Sequence, residues 1–187
     1  MLKYILLGFL SYQSQTGYQL KTLMEQSTMH FWHAYHSQIY TTLRALEGEG
    51  LVISEVEEGD EKLNRRSYEI TEAGLEVLRQ WLTQPLMAMT PEKNELLVRV
   101  FFSGQRTNEA ISEELRIQRR LHQQQLDMYR TLDISHFVET LSAGTSASDQ
   151  EIRREGFFWK ATLEYGIAHE EMHLRWLDQM LTAVEPS

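Results

Sequence analysis

Apolar positions recur along the chain at two different periods, and the changes between them mark out the elements. The stretch 2–10 is almost continuously apolar and predicts a short helix, while Tyr18, Leu20, Leu23 and Met24 predict a second over 17–26. A third helix is expected over 37–49, where Ile39, Leu43 and Leu46 fall at i, i+4 and i+7 and make one buried stripe. Gly48 and Gly50 stop it. The period then drops to two. Residues 51–56 are rich in β-branched side chains, 57–64 are charged and contain a glycine, and 66–70 alternate, so this stretch reads as a hairpin. Thr71 is placed to cap a following helix with Glu72 in its first turn and Leu75, Leu78 and Leu82 on its apolar face.

Pro85 and Pro91 bracket a short segment, and proline disfavours helix at itself and at the residue before it. The chain therefore divides into a first domain over 1–84, a linker over 85–91 and a second domain over 92–187. The second domain reads as nearly all helix, over 92–102, 108–132 and 149–184, with the small polar run 142–148 as a loop. Ile111, Leu115, Gln118, His122, Gln125, Tyr129 and Leu132 have heptad spacing with polar interruptions, as in a weak coiled-coil seam. The last helix carries two apolar rows. One is Phe158, Tyr165, Met172, Trp176 and Met180; the other is Trp159, Leu163, Ile167, Leu174, Leu177 and Leu181. Such a helix needs partners on two faces, which predicts pairing with a second copy of the chain. The expected fold is mostly α, and α+β in its N-terminal part: a winged helix-turn-helix domain followed by a helical, coiled-coil-like dimerisation domain.

The composition, 187 residues with 42% hydrophobic and 24% charged, is that of a globular protein with a proper core. Cysteine is absent, which excludes disulfides, thiol catalysis and Cys-based zinc sites. A net charge of −9 opposes indiscriminate binding to nucleic acid or anionic membrane, so any DNA surface must be local. The longest apolar run, 5–10, is far short of a membrane span, and its flanks suit a signal peptide poorly. A cytoplasmic protein without a membrane partner is expected.

Three helices followed by a two-stranded hairpin is the order of a winged helix-turn-helix, whose third helix enters the major groove of double-stranded DNA. With the stripe turned inward, 100° steps put Ser37, Thr41, Arg44 and Gly48 outward, with Gln38 and Tyr40 on the flanks. Gln can bond adenine, Arg guanine or phosphate, and Ser, Thr and Tyr suit either kind of contact. Lys62, Arg65 and Arg66 cluster on the expected wing, where phosphate or minor-groove contact is natural. Periodicity alone is equally compatible with a merely solvated helix and an ordinary hairpin.

Four motifs then carry a resemblance: Leu6-Leu7-Gly8-Phe9-Leu10, Thr16-Gly17-Tyr18-Gln19-Leu20, the run Ser37 to Glu47 with Gly50-Leu51-Val52, and Tyr68-Glu69-Ile70-Thr71-Glu72-Ala73-Gly74. In order and spacing they resemble the PadR family of bacterial transcriptional regulators over about 2–84. The remainder resembles the helical dimerisation domain of the longer, virulence-activator-like members, with Trp176-Leu177-Asp178 as the best local feature. The resemblance implies a homodimer on a pseudo-palindromic operator, most often a repressor released by a small molecule or stress signal. It assigns DNA contact to Ser37, Gln38, Tyr40, Thr41 and Arg44 in the recognition helix and to Lys62, Arg65 and Arg66 in the wing. Two departures bear on affinity more than on fold: Ala45 stands where a basic residue is common, and the wing is acidic at Glu57, Glu58, Asp60 and Glu61.

Other patterns compete with this reading. Trp32, Phe102, Trp159 and Trp176 are candidate walls of a pocket for a small apolar or aromatic effector, or else ordinary core residues. His30, His33 and His36, spaced by three, would add cations beside DNA in mild acid, or belong to a linker ahead of the recognition helix. His169-Glu170-Glu171-Met172-His173 fits the H-E-x-x-H form. No recognisable third-ligand motif follows it, and it reads as a chance product of a helix rich in Glu and His. No metal, cofactor or catalytic residue is expected. The alternative to a regulator is a non-enzymatic helical adaptor that uses the winged helix to bind protein.

Overall fold

The computed structural model describes residues 1–29, 31–56, 66–89, 93–142 and 148–184. In chain order the elements are α1 (Leu2–Leu10), β1 (Gln15–Thr16), α2 (Gly17–Ser27), α3 (His36–Gly48), β2 (Val52–Val56), β3 (Arg66–Ile70), α4 (Glu72–Thr83), α5 (Glu95–Phe101), α6 (Asn108–Thr131), α7 (Ile134–Ser142) and α8 (Asp149–Val184). They form two compact units, Met1–Leu86 with Asp133–Lys160, and Met87–Leu132 with Ala161–Ser187.

In the first unit local chemistry sets the ends of the helices. Thr16 opens α2 with a reciprocal cap: its Oγ1 accepts from the Gln19 amide at 3.2 Å, and its own amide donates to Gln19 Oε1 at 2.7 Å. Gly50, at φ 71°, lets the chain reverse after α3. Its amide bonds Glu47 O at 3.0 Å and the Leu51 amide bonds Leu46 O at 2.9 Å, so the orphan carbonyls of the last turn are satisfied as β2 begins. Thr71 Oγ1 accepts from the Gly74 amide and starts α4.

The sheet is antiparallel in the order β1-β3-β2, with Ser54 opposite Tyr68 and Val56 opposite Arg66. The hairpin is thus as expected. The two-residue β1, which pairs Gln15 with Tyr68, is too short to leave a periodic signal. The stripe Ile39, Leu43 and Leu46 is buried to 1% or less and meets Leu6, Leu7 and Leu10 of α1 and Leu20 of α2 in one cluster. One detail of α4 differs from expectation. Leu82 is 66% exposed, and Trp81 turns in instead, stacked on Tyr4 at 4.3 Å, because α1 packs against α4 on the Trp81 side.

The same core takes in Phe137 and Leu141 of α7, a helix the sequence reading did not separate, and Trp159 of α8 packs on it. Trp159 meets Tyr12 and Phe137 edge-on at 5.5 and 5.0 Å, and the Tyr12 hydroxyl donates to Glu155 at 2.9 Å. Burial, reinforced by the Glu155 charge and this bond, pushes the Tyr12 phenol well above the ordinary range. Residues 133–160, left in the second domain by the sequence reading, therefore help build the first unit. Leu86, Met87 and Met89, in the expected linker, are almost fully exposed.

In the second unit Asn94 caps α5, which starts later than the expected 92, and Thr107 caps α6. Ile111, Leu115 and Leu177 are its buried centre, with Leu96, Val100, Trp176 and Leu181 around them. Tyr129 extends the buried row of α6, as the heptad spacing predicts, and Leu126, which that spacing leaves out, is buried beside it. Arg119–Asp178 and Arg130–Glu171, at 2.5 and 2.8 Å, tie α6 to α8 from the exposed side, where an ion pair contributes at most about 1 kcal/mol.

Candidate nucleic-acid interface

The inward row of α3 leaves Ser37, Gln38, Thr41, Arg44 and Ala45 exposed, a short polar surface with a single cation. Its side chains are already partly committed. Gln38 Oε1 accepts from the Tyr35 amide at 2.9 Å and closes the first turn of the helix, so outward it offers only its NH2 donors. A bidentate bond to adenine needs the amide oxygen as well and would require Gln38 to release that cap. Thr41 Oγ1 donates to Ser37 O at 2.8 Å, and Thr42 Oγ1 to Gln38 O at 2.7 Å. With their protons spent on the helix, these hydroxyls face outward as acceptors, suited to base amino groups rather than phosphate. Arg44 is exposed and has no ion-pair partner among the described residues.

Tyr40 is half-buried. A Cβ placed on Gly17 would lie 2.6 Å from the Tyr40 ring, so this side chain lies directly over the first residue of α2. It tilts against His36 at 4.7 Å on its other side. Tyr40 thus joins the two helices of the helix-turn-helix, a role that sequence spacing could not distinguish from a free contact. On the wing, Arg66 begins β3 with its side chain 54% exposed and pairs loosely with Glu47 at 3.9 Å. Glu47 also accepts from Ser54 Oγ at 2.6 Å. This carboxylate of α3, not singled out in the sequence, holds the base of the wing and offsets one of its cations. Beside it, burial and then the Glu47 charge raise the Tyr68 phenol. Lys62, Arg65 and the acidic positions Glu57, Glu58, Asp60 and Glu61 lie outside the described residues, as does His30.

The four candidate effector residues are divided between the two units, Trp32 and Trp159 in the first and Phe102 and Trp176 in the second. Trp32 lines an open groove of about 440 Å³ with Met1, Leu2, His33, Ser37, Gln38, Thr41 and Thr42, and a small cavity behind it. Trp159 belongs to the core of the first unit and Trp176 to that of the second, while Phe102 is 57% exposed. His33 meets Tyr35 and His36 meets Tyr40, so these two do not form one cluster. Among the described residues no group of three or more His, Asp or Glu is arranged to hold a metal.

Fold and surface together define a winged-helix protein whose exposed third helix is mounted on α1 and α2, in a chain that also forms a helical second unit. The profile of the PadR-like family of transcriptional regulators matches residues 6–80, and that of the virulence activator alpha C-terminal domain matches 92–185. The chain belongs to this family of PadR-like regulators with the virulence-activator type of C-terminal half. It is 25% identical to the negative transcriptional regulator PadR of Bacillus subtilis over 185 residues, 99% of this chain and 98% of that one. Its fold matches the crystal structure of B. subtilis PadR in complex with operator DNA at a TM-score of 0.76 and 24% identity, over 98% of this chain and 99% of that one. The match to the complex of the same protein with p-coumaric acid has a TM-score of 0.71 at 24% identity, over 99% of each chain. No described helix is long and apolar enough to cross a membrane.

Proposed function

We propose that the protein is a sequence-specific transcriptional repressor that binds double-stranded DNA as a homodimer, on a pseudo-palindromic operator, and leaves it when a small apolar or aromatic effector binds. The observation that carries this reading is the exposed polar row of α3, mounted on a row buried to 1% or less. Ser37, Gln38, Thr41 and Arg44 contact bases and phosphates, Tyr40 positions α3 against α2, and Lys62, Arg65 and Arg66 act from the wing. In this reading 1–84 is the DNA-binding part, 85–91 a linker and 92–187 the source of dimer contacts. Phe158, Tyr165 and Met172, spaced by seven on α8, are 49%, 66% and 45% exposed and supply an apolar row for a second copy. The repressor activity and the effector are read from the B. subtilis relative, whose operator and p-coumaric acid complexes share this fold. The protein works in the cytoplasm and catalyses no reaction.

The test is a fluorescence-anisotropy titration against the DNA upstream of the protein's own gene, with a shuffled duplex as control, at two salt concentrations. Selective binding that weakens steeply with salt is expected. Equal, feeble binding to both duplexes, together with no enrichment in a genome-wide selection of bound fragments, would overturn the reading.

A further inference from the structure

Midway along the seam of the second unit, three imidazoles stand in ring contact. His122 of α6 lies parallel to His173 of α8, with 4.6 Å between centroids and 12° between planes. His169, one turn earlier on α8, meets His173 at 4.5 Å. Glu170, 8% exposed, bonds His122 Nδ1. The sequence holds the reason for the meeting: His122 occupies a heptad position of α6, and His169 and His173 share one face of α8 at i, i+4.

The charged and titratable surroundings are few. From α6, the buried Tyr129 phenol is raised first by burial and also by the Glu170 charge, against a hydrogen bond from Gln125. From α8, the Tyr165 ring stacks on His169 at 6.2 Å. Arg119 with Asp178, and Arg130 with Glu171, bracket the cluster and pair with each other across the seam.

We propose that this histidine cluster is an acid-sensitive latch of the second unit. Imidazole takes up a proton between about pH 8 and pH 5. A proton on His122 faces the Glu170 carboxylate that the ring already bonds. A second proton on His173 places an imidazolium in ring contact with that of His122 across the seam, and parting α6 from α8 relieves the repulsion. Stability is therefore present at neutral pH and is lost on acidification. Only the consequence of opening, release from DNA, rests on the proposed function.

The full-length protein is followed by thermal unfolding and by hydrogen exchange at about pH 7.5 and about pH 5.5, beside His173→Gln, His169→Gln and the control His33→Gln/His36→Gln. In the wild type, acid should speed exchange in the α6 and α8 segments around the cluster by roughly tenfold and lower the unfolding midpoint. His173→Gln should lose most of that pH dependence and His169→Gln a measurable part of it, and the control should keep it. His169→Gln, at a half-buried ring, keeps the test open where His173→Gln fails to fold. The same acid response in the wild type and both α8 variants, or its loss in the control, overturns the proposal. Anisotropy with operator DNA runs in parallel: a seam that opens in a protein with no operator affinity removes the function and leaves the latch standing.

Discussion

Gln38 is committed twice: its amide oxygen closes the first turn of α3 while its NH2 faces outward. Gln38→Ala is therefore expected to lower stability by about 0.5–2 kcal/mol as a lost cap and to weaken operator binding as well, both readable from one melt and one titration. Arg44 carries no such double duty. Arg44→Ala should leave the unfolding midpoint unchanged and cost about 1–3 kcal/mol of operator affinity where it reads a base. Leu43, fully buried, is the opposite case, and Leu43→Ala should destabilise by about 2–5 kcal/mol. Tyr40 stands between them. Because its ring lies over Gly17, Tyr40→Ala should reduce both stability and DNA binding, and Gly17→Ala should act in the same direction by displacing the ring.

Between elements the close approaches are most telling. A Cβ on Gly74 would lie 2.2 Å from the Leu51 carbonyl oxygen, a backbone atom that cannot swing aside, so Gly74→Ala must move α4 away from the strand. A clear drop in the unfolding midpoint, larger than for Gly8→Ala, is the expected result, since nothing lies near Gly8. The Tyr12–Glu155 bond joins the end of α1 to α8. The phenol is raised in the folded state, so its contribution is present below the ordinary tyrosine range near pH 10 and is lost only at higher pH. In a spectrophotometric titration Tyr12 should ionise after the exposed tyrosines, and Tyr12→Phe should remove the latest step. That variant should cost about 0.5–1.5 kcal/mol at neutral pH.

At the scale of the whole molecule, the second half of the chain cannot simply be cut away. Removing everything after Pro85 would take Phe137 and Leu141 out of the core that α1, α2 and α3 share. The fragment is expected to be destabilised as well as weak in DNA binding, so it would not isolate the dimer contribution. Tyr165→Glu with Met172→Glu does so more cleanly, because both side chains are exposed in one chain. Sedimentation should show a shift to monomer, with operator affinity reduced because the two half-sites are no longer linked. An intact dimer would move the interface elsewhere.

Periodicity in the sequence alone determined the recognition stripe, the hairpin and the seam of α6, because each repeats often enough for one buried face to stand out. The cap at Thr71 and the stop at Gly50 were legible because their chemistry acts within a few residues, whereas the reciprocal cap at Thr16 was seen only in the structure. Only the tertiary structure decided what depends on distant neighbours: that α1 turns Trp81 inward and leaves Leu82 out, that 133–160 complete the first core, and that Glu47 holds Arg66. It also brought His122 to His169 and His173, which lie more than forty positions away on another helix. Spacing along one helix determines which side chains share a face. Whether that face meets a leucine, a carboxylate or another imidazole is set by the packing of the elements around it.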